Sequence, residues 1–290
     1  MAAYKLGARA ARLLPAPAAT LAGRAIGLGL ASTDGERRRI VAANLQRIHG
    51  GRLSALALRR EVQRAFDSYA RYWVELFRLP ELSPAQIDAG MSYEGLDHLV
   101  RAIDGGKGAV VALPHLGGWD FGGAWLATQG FGMTVVVEPL EPPDLLDWFA
   151  SYRRTLGMNV VPLGPSAGTA VLQALARNEL VGLLSDRDIG GGGVEVELFG
   201  ERTTLPAGPV TMALRTGAPL LPTAVYFTDH GRHHGVVRPP IDLTRQGRLR
   251  DDVARLTQVL AGELEILIRA APEQWHVFQP NWPSDTANQG

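Results

Sequence analysis

The stretch Ala109-Val110-Val111-Ala112-Leu113-Pro114-His115-Leu116-Gly117-Gly118-Trp119-Asp120 decides how this 290-residue chain is read. Ala109 to Leu113 is a short apolar run preceded by Gly105-Gly106-Lys107-Gly108. A run of that length, bounded by glycines and carrying Val110 and Val111, predicts a buried strand. Phe121 to Ala127 reads as a helix that tolerates Gly122 and Gly123 because it packs closely on its neighbours. His115 therefore stands at the carboxyl end of a strand, just ahead of a helix, where open α/β sheets bind ligands. An imidazole there can take up and return a proton near neutral pH. It needs a carboxylate to orient the ring, and Asp120 lies five positions on. Gly117-Gly118 keeps the turn between them thin, so that a substrate atom can approach the backbone. The same spacing fits an ordinary helix start with an acidic side chain in its first turn, so the surroundings must decide.

Beyond Asp120 the pattern alternates. Residues 133–138, 160–163 and 180–184 read as strands, and residues 142–156 and 166–178 as helices, with Gly157 as a helix stop. Strands separated by helices of this length predict an α/β fold with a central, largely parallel or mixed sheet and right-handed crossovers. Polar residues gather where these strands stop: His115, then Glu138, then Asp186-Arg187-Asp188. If the strands are parallel neighbours, those ends share one sheet edge, and a base, several carboxylates and an arginine line one cleft. An aspartate-rich turn would also account for Asp186 and Asp188, and a helix C-terminus for Arg153. Gly190 to Gly193 is a flexible loop that could cradle a phosphate, but no Gly-Lys-Ser/Thr follows, so it is not a nucleotide P-loop.

Further on, residues 194–199 read as a short antiparallel strand, 207–216 as a helix, 220–227 and 236–241 as strands, and 251–270 as a long helix. His230, His233 and His234 fall in a turn without metal-ligand spacing and read as surface residues; no metal site is expected. On the amino-terminal side, residues 35–48 and 54–79 read as amphipathic helices. A short helix after Pro84 leads to a hairpin-like Met91–Gly95, and a helix over 96–104 ends at Gly105-Gly106. Residues 1–80 thus form a helical segment flanking an α/β core over 81–290.

Composition narrows the chemistry. Cysteine is absent, which excludes disulfides, thiolate metal sites and a cysteinyl acyl-enzyme. The net charge of zero hides an asymmetry: residues 1–78 hold 14 Lys and Arg against 5 Asp and Glu, the remainder 15 against 24. Met1 to Ala31 is rich in Ala, Leu and Gly, but Lys5, Arg9, Arg12 and Arg24 interrupt it and Pro15 and Pro17 break it. Its uncharged part, Leu13 to Gly23, is shorter than the roughly 20 residues a bilayer span needs. That character suits helices lying on an anionic membrane surface. Nucleic acid is disfavoured: Phe66, Tyr69, Tyr72, Trp73 and Phe77 fall at spacings of three and four, a helix packing face and not a base-stacking platform.

Four ordered motifs carry a resemblance over nearly the whole chain: Pro114-His115-Leu116-Gly117-Gly118-Trp119-Asp120, Ser185-Asp186-Arg187-Asp188-Ile189, Gly193-Val194-Glu195-Val196-Glu197-Leu198-Phe199-Gly200 and Leu205-Pro206-Ala207-Gly208-Pro209. They resemble the bacterial lipid A lauroyl/myristoyl acyltransferase family, in particular its actinobacterial branch of phosphatidylinositol mannoside acyltransferases. The resemblance implies a peripheral enzyme on the cytoplasmic face of the inner membrane. Such an enzyme moves a long acyl chain, usually palmitoyl, from acyl-CoA to a sugar hydroxyl of a glycolipid, with no further cofactor. In the mannoside branch the acceptor is the mannose on the inositol 2-position.

It further implies that His115 is the catalytic base and Asp120 the acid of the family motif. Asp186 stands where that branch usually carries Glu, and either carboxylate is a candidate to orient His115. Glu138 and Arg153 match cleft residues that hold the acceptor sugar, His276 a late histidine near the acceptor, and Gly192 and Arg215 positions that contact acyl-CoA. On this view the helix over 121–127 walls the acyl chain, and the oxyanion meets the Gly117-Gly118 amides or Arg153. The rival readings are a catalytically silent lipid carrier, an acyltransferase acting on another glycolipid or a lysophospholipid, and a serine hydrolase, and for the last no Gly-x-Ser-x-Gly elbow is present.

Overall fold

The computed structural model describes residues 2–14, 16–138 and 143–287; Pro15 and Pro142, and the side chains of Lys5, Arg24 and His230, lie outside the described set. Four helices come first: α1 (Ala2–Leu13), α2 (Ala16–Thr33), α3 (Gly35–Ile48) and α4 (Ala55–Arg78). Their starts follow from local chemistry. Asp34 accepts the Arg37 amide at the head of α3, and Ser54 accepts the Ala57 amide at the head of α4, each satisfying an otherwise orphaned helix donor. The aromatic stripe of α4 packs as its spacing predicts. Tyr69 stacks on Phe278 at 4.6 Å, Tyr72 on Trp119 at 4.2 Å, and Trp73 meets Phe149 at 5.8 Å.

The core then runs α5 (Pro84–Ala89), β1 (Met91–Glu94), α6 (Leu96–Asp104), β2 (Ala109–Leu113), α7 (Trp119–Thr128), β3 (Met133–Val137), α8 (Pro143–Thr155), β4 (Met158–Pro162), α9 (Ala167–Ala176) and β5 (Leu180–Leu184). It continues through β6 (Val194–Leu198), β7 (Glu201–Leu205), α10 (Gly208–Thr216), β8 (Leu220–Phe227), β9 (His233–Val237), α11 (Leu249–Ala270) and α12 (Pro283–Ala287). Seven strands form one mixed sheet in the order β1-β9-β8-β2-β5-β3-β4, and β6 and β7 form a separate antiparallel ribbon. Strands β8, β2, β5, β3 and β4 are parallel, while β9 runs against β8 and carries β1 parallel to itself.

Helices cover both faces of the sheet. Val110 and Ala112 face a core built with α9, α10 and α11, whereas Val111 and Leu113 face α6 and α7. A strand covered on both sides reads as a continuous apolar run, which is why β2 and β5 have the predicted bounds. Gly122 and Gly123 explain the close seating of α7. A Cβ at Gly122 would stand 2.6 Å from Val225 Cγ2, and one at Gly123 2.7 Å from Met158 Sδ.

Three expectations are corrected. Met91–Gly95 is no hairpin: β1 pairs in parallel with β9, 142 residues away in sequence, with Met91 opposite His233. The strand expected over 236–241 begins earlier, at His233, because its first residues pair with Phe227 and Tyr226 of β8. His233 is consequently not a surface residue. It is 1% exposed, stacked on Phe121 at 3.8 Å, with Nε2 at 2.9 Å from Glu75 Oε2.

Candidate active site

Strand order brings the polar ends together. β5 lies between β2 and β3, and Leu113 is in register with Leu184. The residues just past these strands, His115, Asp186 and Glu138, therefore meet at the carboxyl edge of the sheet, as parallel neighbours require.

His115 is held on every side. Its ring Nδ1 lies 2.7 Å from Asp186 Oδ1, its backbone N–H donates to Asp186 Oδ2 at 2.8 Å, and its carbonyl accepts the His276 N–H at 2.7 Å. Trp275 Nε1 also donates to Asp186 Oδ2, at 2.7 Å. Asp186 is fully buried. Burial alone would raise its carboxyl pKa, but the facing His115 and the Trp275 and His115 N–H donors outweigh that and hold it below the usual carboxylate range. With Nδ1 committed to an ionised carboxylate, Nε2 of His115 is the nitrogen left for the cavity that the residue lines.

Asp120 has a different partner. It is buried and receives Arg153 Nε at 2.6 Å, Arg153 Nη2 at 3.0 Å and Tyr72 Oη at 2.8 Å. This bidentate pair ties α8 to α7, and Tyr72 ties both to α4. Burial opposes the Arg153 charge, but Asp120 and Tyr72 overcome it and raise its pKa; the Tyr72 phenol is pushed up by burial and by the Asp120 charge. Of the two candidate carboxylates, Asp186 orients the imidazole and Asp120 organises the wall.

The turn after His115 needs its glycines. Gly117 has φ +60°, and a Cβ there would sit 2.1 Å from the Val225 carbonyl oxygen. The Gly117 N–H donates to the Gln274 carbonyl at 2.9 Å and the Gly118 N–H to the Val225 carbonyl at 2.8 Å. Both amides are spent on structure, so the expectation that they meet an oxyanion is corrected. Arg153 and the amino end of α7, where the helix dipole is positive, remain in the same wall.

A cavity of about 510 Å³ opens at this edge, within the roughly 300–1,000 Å³ range of ligand pockets. Its mouth carries His115, Asp120, Glu138, Arg153, Arg187, Asp188 and the Gly190–Gly193 loop. Its interior is apolar, between the sheet and α4, α6 and α7. Leu76, Leu99, Val111, Trp125, Leu126 and Met133 are among its walls. The wall expected from residues 121–127 is present through Gly122, Gly123, Trp125 and Leu126, while Phe121 turns away onto His233.

Gly192 lies in the mouth loop, which Asp188 ties by accepting the Gly193 N–H at 2.7 Å. His276 sits behind the dyad, not in the cavity wall. Its Nε2 is 2.9 Å from Ser68 Oγ, and burial, with the nearby His115 charge, pushes its pKa down to about 3. Arg215 is exposed in the last turn of α10, outside the cavity lining. Among the described residues no group of three or more His, Cys, Asp or Glu could hold a metal ion. Trp275 and Gln274 are contributors that the sequence left without a role, and Tyr72, read as part of a packing face, also donates to Asp120. The adjacency of Gln274 and Trp275 to His276 was the one signal available for the first two.

Comparisons with known proteins show the family. The chain is 42% identical over 227 residues to a phosphatidylinositol mannoside acyltransferase of Mycobacterium tuberculosis, covering 76% of this chain and 70% of that protein. It is 39% identical over 231 residues to the protein of the same name from Mycolicibacterium smegmatis, covering 79% and 74%. A lipid A biosynthesis acyltransferase of Haemophilus influenzae is more distant, at 29% over 186 residues, covering 62% and 55%. A family model described as bacterial lipid A biosynthesis acyltransferase matches residues 2–284. With that match, and with these relatives, the chain belongs to the bacterial lipid A biosynthesis acyltransferase family.

Proposed function

We propose that this acyltransferase moves a long acyl chain, such as palmitoyl, from acyl-CoA to a sugar hydroxyl of a glycolipid, the mannose of a phosphatidylinositol mannoside. The observation that carries the chemistry is the 2.7 Å contact between His115 Nδ1 and Asp186 Oδ1 beside a deep apolar cavity. The mannoside acceptor is supported by the names of the mycobacterial relatives.

In this reading the acyl chain lies in the cavity, each buried methylene contributing about 0.8 kcal/mol, with its thioester carbonyl at the mouth. Nε2 of His115 takes the proton of the acceptor hydroxyl as that oxygen attacks the carbonyl carbon. Asp186 stabilises the imidazolium that forms. Arg153 and the α7 dipole face the negative charge on the tetrahedral oxygen. The carbon–sulfur bond then breaks, the imidazolium returns its proton to the leaving thiolate, and ester and free thiol depart. No acyl-enzyme is needed, since the donor is already activated. Glu138, Arg187 and Asp188 offer charged groups to the hydroxyls of the sugar.

We further propose that α1 and α2 rest on the cytoplasmic leaflet of the plasma membrane and deliver the acceptor. No described helix is long and apolar enough to cross a membrane. Leu13, Leu21, Ile26 and Leu28 are exposed, and the surrounding sequence is basic. Arg78 donates to the Ala11 and Leu14 carbonyls. This joins the end of α1 to the helix that supplies Tyr72, Trp73 and Leu76 to the cavity wall.

The test is thiol release from palmitoyl-CoA, with and without the mannoside acceptor, by wild type and His115→Ala. Acceptor-dependent release that falls by about 10²- to 10⁴-fold in the variant, with an unchanged melting temperature, is expected. Palmitoyl-CoA bound without acceptor-dependent thiol release would favour a lipid carrier, and wild-type turnover by the variant would remove His115 as the base.

A further inference from the structure

The carbonyl of His115 and the carboxylate of Asp186 are both held by one segment of chain, residues 274–282. The His276 N–H binds the His115 carbonyl, the Gln274 carbonyl takes the Gly117 N–H, and Leu116 and Trp275 form an isolated antiparallel bridge. Asn281 Nδ2 donates to the Asp186 carbonyl at 3.1 Å. The segment is fastened in turn to the amino-terminal helices, through Asn44 Nδ2 to the Val277 carbonyl at 3.0 Å and Ser68 Oγ to His276 at 2.9 Å. Within it, Trp275 alone reaches the carboxylate itself. Its indole is 3% exposed, packed edge-on against Phe199 at 5.8 Å and against Trp282 at 6.1 Å. Its N–H donates to Asp186 Oδ2, 2.7 Å away.

We propose that Trp275 is a positioning residue for acyl transfer: its indole N–H locks the Asp186 carboxylate in the one orientation that presents Oδ1 to Nδ1 of His115. The inference rests on His115 acting as the base in the reading above. A carboxylate on a short aspartate stem can rotate about its terminal torsion, which is broad and not sharply staggered. Two donors on Oδ2, the His115 N–H and the Trp275 indole, fix that rotation and leave Oδ1 for the ring. The indole also draws charge away from the carboxylate. Without it the carboxylate holds an imidazolium more tightly, and the free base appears only at higher pH.

The test compares pH profiles of kcat and kcat/KM for acyl transfer by four proteins: wild type, Trp275→Phe, a protein with benzothienylalanine at position 275, and Phe199→Leu. Benzothienylalanine keeps the indole shape and replaces the N–H by sulfur, so it carries the test should Trp275→Phe fail to fold. Phe199→Leu loosens the packing around Trp275 and leaves its N–H in place. Both replacements at 275 are expected to lower kcat about tenfold or more, the equivalent of one hydrogen bond to a charged group, with KM for the acyl donor little changed. The acid limb of kcat/KM should move to higher pH. Phe199→Leu should lower the melting temperature and leave kcat and the limb in place. A benzothienylalanine protein with wild-type kcat and acid limb would overturn the inference, as would a Phe199→Leu protein that reproduced both changes. His115→Ala run beside them separates the two levels. Full turnover in that variant removes the base assignment, whereas its loss alongside a silent position 275 removes only the role of Trp275.

Discussion

Removing the charge of Arg153 should destabilise the protein more than removing the whole Asp120–Arg153 pair costs per partner. The side chains are 15% and 5% exposed and share two hydrogen bonds, of 2.6 and 3.0 Å. Deleting one member of a buried pair strands the other, at about 3–5 kcal/mol. Arg153→Met keeps the aliphatic stem and leaves Asp120 with the Tyr72 hydroxyl at 2.8 Å as its remaining side-chain donor, which places the loss near the lower bound, about 3 kcal/mol. Asp120→Asn keeps an acceptor for Tyr72 but leaves the guanidinium half-satisfied, at about 2 kcal/mol. In the double variant neither charge is stranded, so its loss should be about 3 kcal/mol, well short of the sum of the single losses, a coupling of about 2 kcal/mol. Urea unfolding of the four proteins measures this, with the midpoints converted through a common slope. Additivity to within about 0.5 kcal/mol would refute the argument. The same variants carry a second readout. Asp120 does not touch the imidazole, so the acid limb of the pH–rate profile should stay in place in Asp120→Asn and move in Asp186→Asn. A limb that moved only in Asp120→Asn would exchange the roles of the two carboxylates.

His276 should make the protein acid-sensitive. Its pKa is about 3 in the folded state against about 6.5 when unfolded. The unfolded chain therefore binds more protons between those values; stability is full above that window and falls as pH drops through it, by up to about 1.4 kcal/mol per pH unit. His276→Gln, which keeps a side-chain partner for Ser68, should lose about 2 kcal/mol less than wild type between pH 7 and pH 5, measured by urea unfolding, and equal losses would refute the assignment. Leu21 and Leu28 are 69% and 58% exposed and one heptad apart on α2. Leu21→Glu with Leu28→Glu should leave the melting temperature unchanged and weaken sedimentation with phosphatidylglycerol vesicles about 100-fold or more, since each leucine contributes about 1.5–3 kcal/mol when buried. Undiminished vesicle binding would remove these residues from the membrane-facing surface.

The sequence was legible where one physical constraint dominated. Ala109–Leu113 and Leu180–Leu184 are covered on both faces, so burial alone wrote their composition. The meeting of His115, Asp186 and Glu138 followed on the one condition that their strands be parallel neighbours, which the order β2-β5-β3 meets. Legibility failed where partners are distant or polar. Glu201-Arg202-Thr203-Thr204-Leu205 forms β7 of a half-buried ribbon, and little in its composition requires a strand; its register with β6 supplies the order. His233 and His234 look like a turn until Glu75, 158 residues away, supplies a partner for the first. The choice between Asp120 and Asp186 was likewise closed to spacing. Asp120 lies five residues from His115 and points to Arg153, whereas Asp186 lies 71 residues away and holds the ring.

The position of β5 has a consequence for synthesis of the chain. β2 and β3 are made first, yet neither pairs with the other; the slot between them is filled by residues 180–184. Until those residues leave the ribosome, a nascent chain holds two unmatched apolar ladders a strand-width apart, the condition under which stray pairing and aggregation compete with productive folding. The same insertion that brings Asp186 to His115 closes this gap, while the other edge of β2 waits for β8, so an immature chain displays neither a closed core nor an assembled histidine–carboxylate pair.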